Sequence, residues 1–239
     1  MPVRRTLLAD PVLEVAPRLL GMVIRRTTDE GTVAVRLTEI EAYDGPNDPG
    51  SHAYRGETAR NAVMFGPPGF LYVYFTYGMH YCMNVSAGPD GQPSAVLLRA
   101  GEVIEGVDLA RSRRGAPQPV DGKFNQVTPG TVGGARATAA TVLPSRGGRR
   151  TGARNPDWDL ARGPARMCVA LGIDREANGT DLLSRGSAVQ LLPGPGFDGE
   201  PSTGPRVGLR EAADNPWRFW IPGDPTVSPY RPHVPKRRG

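Results

Sequence analysis

Two glutamates stand two positions apart in Glu39-Ile40-Glu41-Ala42-Tyr43, where an apolar stretch meets an aromatic. A carboxylate at a strand end, partly desolvated beside an aromatic ring, can deprotonate water and act as a general base. The plainer alternative is that both face solvent past the edge of the core. A second cluster runs from Leu71 to Tyr81, with five aromatics, Met79 and His80 around one turn. Core packing accounts for one face of that run, but Tyr77, Met79 and His80 fall at the turn, where residues are normally small and polar. Bulky groups on a hairpin tip suit a wedge that enters a base stack; packed under another loop they would be ordinary core. Arg99 ends the apolar Val96-Leu97-Leu98. An inward guanidinium needs an anion, either a carboxylate such as Glu41 or a phosphate. Asn84 alternates with Cys82 and Ser86, opposite Tyr81, Met83 and Val85, which makes it a pocket-lining candidate. His52 lies on a Gly/Pro-flanked loop, a setting in which histidine more often faces solvent than catalyses. Arg111, Arg113 and Arg114 suit phosphates, or simply complement a helix C-terminus.

Positioning these groups requires a mixed set of elements. Asp10-Pro11 predicts an N-cap and first helical proline, opening a helix toward Leu20. Residues 21–26 read as a strand, 29–31 as a turn and 32–43 as a long strand. Along that long strand Val33, Val35, Leu37, Glu39, Glu41 and Tyr43 share one face, so two carboxylates continue an apolar row. Either the strand leaves the core there, or a bulge re-aims it, or a carboxylate is held in a cleft. A polar loop follows over 44–69. Residues 70–76 and 81–87 form a hairpin with a bulky tip, and 95–99 a fourth strand. Residues 105–114 read as a helix with basic residues in its last turn. Gly163-Pro164 opens another helix to Leu171. Short strands are expected near 188–192 and 206–209, and a last apolar run covers 219–221.

Between residues 116 and 156 the composition turns to Gly, Pro, Thr and Arg without periodicity, which reads as a flexible insertion. The tail over 231–239 is Pro/Arg-rich and expected to be disordered. With 239 residues, the chain is long enough for a core without disulfide staples. Its 38% hydrophobic content and 31 Gly with 25 Pro argue for a loop-rich chain, not a helical bundle. Cys82 and Cys168 cannot build a structural zinc site alone, and a reducing cytosol fits them best. The net charge of +5 suits a nucleic-acid partner without demanding one. Only two of the 29 basic residues are lysines, Lys123 and Lys236, both in stretches expected to be disordered, which disfavours Schiff-base chemistry. The basic start is followed by an apolar run broken at Asp10-Pro11, so no signal peptide is expected. The uncharged stretch over 62–89 is interrupted by Pro, Gly and Tyr and reads as buried strands, not a membrane span.

In order along the chain, Thr38-Glu39-Ile40-Glu41-Ala42-Tyr43-Asp44-Gly45-Pro46, Ser51-His52, Leu71-Tyr72-Val73-Tyr74, Tyr77-Gly78-Met79, Cys82-Met83-Asn84 and Val96-Leu97-Leu98-Arg99-Ala100 together resemble the alkyladenine (3-methyladenine) DNA glycosylase family. Gly163-Pro164-Ala165-Arg166-Met167-Cys168, Arg206-Val207-Gly208 and Asn215-Pro216-Trp217-Arg218-Phe219 continue the match, which covers about residues 5–228. The resemblance implies an α+β fold. This is a single mixed domain over 1–239 around a curved antiparallel β-sheet, open and barrel-like, with peripheral helices and long loops. It implies that Glu41, not Glu39, activates the attacking water, and that Arg99 helps to hold that water and the backbone. It puts Tyr43, His52 and Tyr74 around a flipped base, with Cys82 beside Asn84 on the pocket wall and Asn84 rejecting normal guanine. Tyr77, with Met79 beside it, would fill the gap left in the duplex. Arg111 and Arg114 are expected on phosphates. Two features depart from the family pattern: the insertion over 116–156 is longer than usual, and His80 stands where an aromatic is common.

The implied partner is double-stranded DNA carrying damaged purines, met by a cytoplasmic monomer with no cofactor, no metal and no membrane. Without a catalytic lysine the enzyme would be monofunctional, leaving an abasic site. Two rivals stand beside this reading. One is a bifunctional lyase using the Pro2 amine, whose best-known form needs a four-cysteine zinc finger that two cysteines cannot supply. The other is a non-catalytic module for damaged DNA or RNA, against which the intact Glu41 argues.

Overall fold

The longest strand carries both glutamates, and the rest of the molecule is arranged around it. In a computed structural model of the chain, residues 3–76, 78–89, 91–115 and 156–234 are described. The expectations for Tyr77, Pro2, Lys123, Lys236, residues 116–155 and residues 235–239 lie outside the described residues.

Two short helices, α1 (Arg5–Leu8) and α2 (Val12–Arg18), precede strands β1 (Val23–Thr28) and β2 (Gly31–Tyr43). Val12, Val15, Ala16 and Leu19 lie at helical spacing and are buried, which seats α2 on the sheet. Pro11 is the N-cap residue, not the first helical one, because its ψ of 136° is extended. The Asp10 carboxylate pairs with Arg18 instead of capping. The hairpin strands are β3 (Leu71–Thr76) and β4 (His80–Ala87), and β5 (Ser94–Glu105) follows. Strand β5 thus runs six residues past the expected 95–99, and α3 (Val107–Gly115) starts after Gly106 instead of at Glu105. A short β6 (Ala161–Arg162) leads into α4 (Pro164–Leu171), which buries Met167, Cys168, Ala170 and Leu171. Gly172, at φ 68°, ends α4 in the left-handed conformation that suits glycine. Strands β7 (Val189–Leu192), β8 (Ser202–Gly204) and β9 (Arg218–Trp220) complete the set.

Every pairing among these strands is antiparallel. The main path runs β3-β4-β5-β2-β1-β7, with β6 added to β5, β9 to the far end of β2, and β8 to β9. The sheet is open, as an α+β fold with a curved antiparallel sheet requires. Among the described residues one large core cluster draws on β1 to β5, β7, α2 and α4, and a smaller one holds Ala53, Met64, Tyr72 and Ala95.

The pairing of β2 with β5 slips three times, once between Ala34 and Val35 and then at two adjacent points further along. Leu37 faces Gly101 and Glu39 faces Ala100, so Thr38 is an extra residue on β2; Ile40 then faces Leu98, so Arg99 is extra on β5. A bulge changes which side chains face which way. Val33, Val35 and Leu37 belong to the large core before the bulge, and Ile40 and Ala42 after it. Glu39, Glu41 and Tyr43 are thereby turned away from the apolar face that the unbroken alternation had assigned them. Gly101 marks the close approach, since a Cβ there would stand 2.3 Å from the carbonyl oxygen of Arg36.

No strand forms over residues 206–209. The Val207 amide is taken by Glu41 and the Gly208 amide by the carbonyl of Arg231, so neither joins a ladder. That second bond also fixes the start of the segment expected to be a disordered tail at Arg231. Residues 231–234 are exposed.

Candidate active site

Arg99, the extra residue on β5, borders a cavity of about 440 Å³ whose walls also include Glu41, Tyr43, His52, Tyr72, Tyr74, Cys82 and Asn84. Strand β2 supplies Glu41 and Tyr43, the hairpin supplies Tyr72, Tyr74, Cys82 and Asn84, and β5 supplies Leu97 and Arg99. Pro164 and Ala165 at the start of α4, and Val207 to Leu209, close the remaining sides. Cys82 and Asn84 face the cavity while Met83 and Val85 pack in the core, so the alternation along β4 runs as its residue pattern implies.

Glu41 is fully buried against protein on three sides. Its Oε2 accepts from the Tyr43 hydroxyl at 2.9 Å and its Oε1 from the Val207 amide at 2.7 Å. The Arg99 Nη1 lies 3.2 Å from the same Oε1. A carboxylate offers about four acceptor positions. Two hydrogen bonds and the Arg99 ion pair leave about one position free, and the residue lines the cavity.

Glu39 is saturated. It accepts from Arg99 Nε at 2.8 Å, Arg218 Nε at 2.7 Å, and the amide and hydroxyl of Ser228 at 2.6 and 2.9 Å. Burial alone would raise its carboxyl, but Arg99, Arg218 and Ser228 outweigh that and hold it below the ordinary carboxylate range. Glu39 is not among the residues that line the cavity. Arg99 therefore bridges the two glutamates. Burial works against its charge, yet Glu41 and Glu39 keep it more firmly protonated than an ordinary arginine.

The opposite wall is aromatic. The ring of His52 meets Tyr74 edge-on at 4.6 Å and Tyr72 at 5.9 Å, and its Nδ1 lies 2.9 Å from the Tyr72 hydroxyl. Burial, helped by the Arg60 charge, lowers the imidazole to about 4, so His52 is neutral near pH 7. Burial also raises Tyr43 and Tyr74 well above the usual phenol range, and raises Cys82 to about 11, leaving all three protonated. Asn84 is held by its amide nitrogen, which donates to the Tyr72 carbonyl at 3.1 Å. The guanidinium of Arg60 stands 5.5 Å from the Tyr74 ring centre.

Other residues singled out by sequence lie elsewhere. Met79, at the hairpin tip, is 59% exposed and outside the cavity. Arg111 and Arg114 line a separate depression. Arg111 pairs with Asp108 and Asp157, and Arg113, which does not line that depression, pairs with Glu30. Tyr72 and the Val207 amide are parts of the site that residue chemistry alone did not single out, though both fall in runs that carried the resemblance. Arg206 fell in the same run as Val207 without being singled out, and Asp48 had no local signal. Among the described residues no group of His, Cys, Asp and Glu could hold a metal ion, and no helix is long and apolar enough to cross a membrane.

A carboxylate with about one open acceptor position, facing an aromatic-walled cavity, can orient a single water for attack on a group bound there. The family model for methylpurine-DNA glycosylase (MPG) matches residues 6–225. A Streptomyces avermitilis protein named "Putative 3-methyladenine DNA glycosylase" is 50% identical over 240 aligned residues, covering 99% of this chain and 95% of that relative. Relatives of the same name from Leifsonia xyli and Mycobacterium leprae are 47% and 44% identical, covering 92% and 94% of this chain and 89% and 87% of their own lengths. By the extent of these matches, the chain belongs to the methylpurine-DNA glycosylase family.

Proposed function

We propose that the protein is a monofunctional DNA glycosylase that swings alkylated or deaminated purines out of duplex DNA and hydrolyses the N-glycosidic bond. The observation that carries this reading is the Glu41 carboxylate, held by Tyr43, Val207 and Arg99 with about one acceptor position left over the cavity.

Arginines grip phosphates without reading sequence, with Arg114 among them and Arg111 exchanging its surface carboxylates for phosphate. Tyr77 and Met79 at the hairpin tip enter the stack as the damaged nucleotide leaves it, at a cost of a few kcal/mol that is lower for a weakly paired lesion. Tyr43, His52 and Tyr74 then face the base. Alkylation at N3 or N7 makes the purine cationic and a good leaving group, and aromatic faces favour a cation. A neutral His52 adds no opposing charge. Asn84, fixed by the Tyr72 carbonyl, stands against the exocyclic group of an undamaged guanine. Glu41 takes a proton from the water as it attacks the sugar C1′, and Arg99 holds water and backbone. The base leaves and an abasic site remains. The protein acts as a monomer and needs no cofactor.

The test is excision from duplexes carrying 7-methylguanine, hypoxanthine or 1,N6-ethenoadenine under single-turnover conditions. Release of at least one of these bases without strand cleavage is the expected result. Binding without release would leave a damage-binding module, and strand cleavage would favour a lyase.

A further inference from the structure

The most deeply buried ion pair near the cavity lies behind it, not in it. Asp48 and Arg206 both have side chains at 0% exposure, and neither lines the cavity. The Arg206 Nη2 donates to Asp48 Oδ1 at 2.8 Å, and Nη1 reaches Asp48 and donates to the Ala42 carbonyl at 3.0 Å. The guanidinium is sandwiched between two rings, 4.6 Å from the centre of Tyr43 and 5.0 Å from that of Trp217. Asp48 is itself built in: its carboxylate also accepts from the amides of Asp44 and Gly50.

Three links of this pair lead to a donor or neighbour of Glu41. The Tyr43 ring, stacked on Arg206, sends its hydroxyl to Glu41 Oε2. Ala42, whose carbonyl Arg206 holds, lies between Glu41 and Tyr43. Val207, next in sequence to Arg206, donates its amide to Glu41 Oε1. A buried ion pair is weak as a source of stability, because desolvating both charges offsets their attraction. Arg206 also leaves its Nε buried without a hydrogen-bond partner. A pair of this kind is better suited to fixing geometry than to holding the fold.

We propose that Asp48 and Arg206 are positioning residues for the general base, locking Tyr43 and the Val207 amide onto Glu41 so that its free acceptor position points at the water. The inference rests on the reading of Glu41 as the base. A misplacement of about 1 Å in such a constellation costs about 100-fold in rate.

The experiment measures single-turnover excision of 1,N6-ethenoadenine and 7-methylguanine by wild type, Asp48→Asn and Arg206→Lys. Asp181→Asn serves as a control, since it breaks the Arg5–Asp181 pair away from the cavity. Rates are taken per folded molecule, below the melting temperature of the least stable variant. Affinity for duplex with a non-cleavable abasic analogue is measured alongside. Each substitution is also made in the Glu41→Gln background. Asp48→Asn and Arg206→Lys are expected to lose about 10- to 100-fold in excision rate, with DNA affinity within about threefold of wild type. Asp181→Asn should lose stability without that rate loss. In the Glu41→Gln background the loss should vanish, because the effect passes through Glu41. Should Asp48→Asn fail to fold, Arg206→Lys reads the same point, keeping the charge opposite Asp48 but not the flat stack. Rates equal to the control, or a loss that multiplies undiminished on Glu41→Gln, would overturn the inference alone. A wild-type protein that releases no base would overturn the proposed function and this inference with it.

Discussion

Glu39 and Glu41 lie two residues apart on the same face of β2, and only Glu41 reaches the cavity. Glu39 spends its acceptor positions on Arg99, Arg218 and Ser228, whereas Glu41 keeps about one. The extra residue at Thr38 turns both carboxylates away from the apolar face, and the two guanidiniums behind Glu39 decide which of them is left for chemistry. One glutamate is thus tied up in pairing and the other lines the cavity, although their sequence contexts look alike.

Glu39→Gln should therefore cost stability first. Removing one partner of a buried, multiply paired charge costs about 3–5 kcal/mol. The carboxyl is lower in the folded than in the unfolded chain, so its contribution is present above the unfolded value, about 4, and is lost as pH falls through the folded value. Thermal melts from pH 7 to pH 3 should show wild type converging on Glu39→Gln at the acid end. Parallel curves across that range would contradict the pairing.

His52 carries a pH signature of the opposite chemical type. Its folded value is about 4 against 6.5 unfolded, so the unfolded chain binds more protons between those limits. Stability should be flat above about pH 6.5 and decline toward pH 4 by this group. An imidazole NMR titration checks it: the His52 resonance should stay neutral down to pH 5, and a midpoint near 6.5 would show the ring is solvated.

Local chemistry made much of this legible. The long strand, the hairpin, the alternation along β4 and the Gly163-to-Gly172 limits of α4 follow from turn residues, side-chain period and capping. What was not legible depends on distant partners. A bulge is one of three readings of the carboxylates that continue the apolar row, but its place at Thr38 is a property of the β2–β5 pair that the local residues do not fix. Residues 206–209 alternate like a strand, yet Arg206 is drawn to Asp48, which is 158 positions earlier. Asp48 itself sat in a polar turn-like stretch that gave no reason to expect burial.

The wedge role proposed for Tyr77 rests only on its place in the sequence between Thr76 and His80, whose pairing closes the hairpin. Tyr77→Ala should lose excision and stable lesion binding while non-specific DNA binding keeps its affinity and salt slope. A fluorescent base analogue beside the lesion reports the unstacking. Unchanged flipping and excision would remove Tyr77 from the mechanism.

The segment between Gly115 and Pro156 should be dispensable for folding. Arg111 and Asp157, near its two ends, are joined by hydrogen bonds of 2.8 and 2.6 Å, so a short Gly-Ser linker can span them. Replacing residues 116–155 should shift the melting temperature by no more than about 3 °C, which is what about 1 kcal/mol implies for a domain of this size. DNA affinity should fall through the loss of arginines such as Arg136, Arg146, Arg149, Arg150 and Arg154. A large drop in melting temperature would show that the segment contributes to the core.

The most direct measurement is single-turnover excision by Glu41→Gln beside wild type, on a duplex with 1,N6-ethenoadenine and on one with 7-methylguanine. The amide keeps the shape of the carboxylate and cannot take a proton from water. Loss of at least about 100-fold in rate, with DNA binding retained, is the predicted result. Near-normal excision by Glu41→Gln would contradict the assignment of the general base and with it the mechanism built on this cavity.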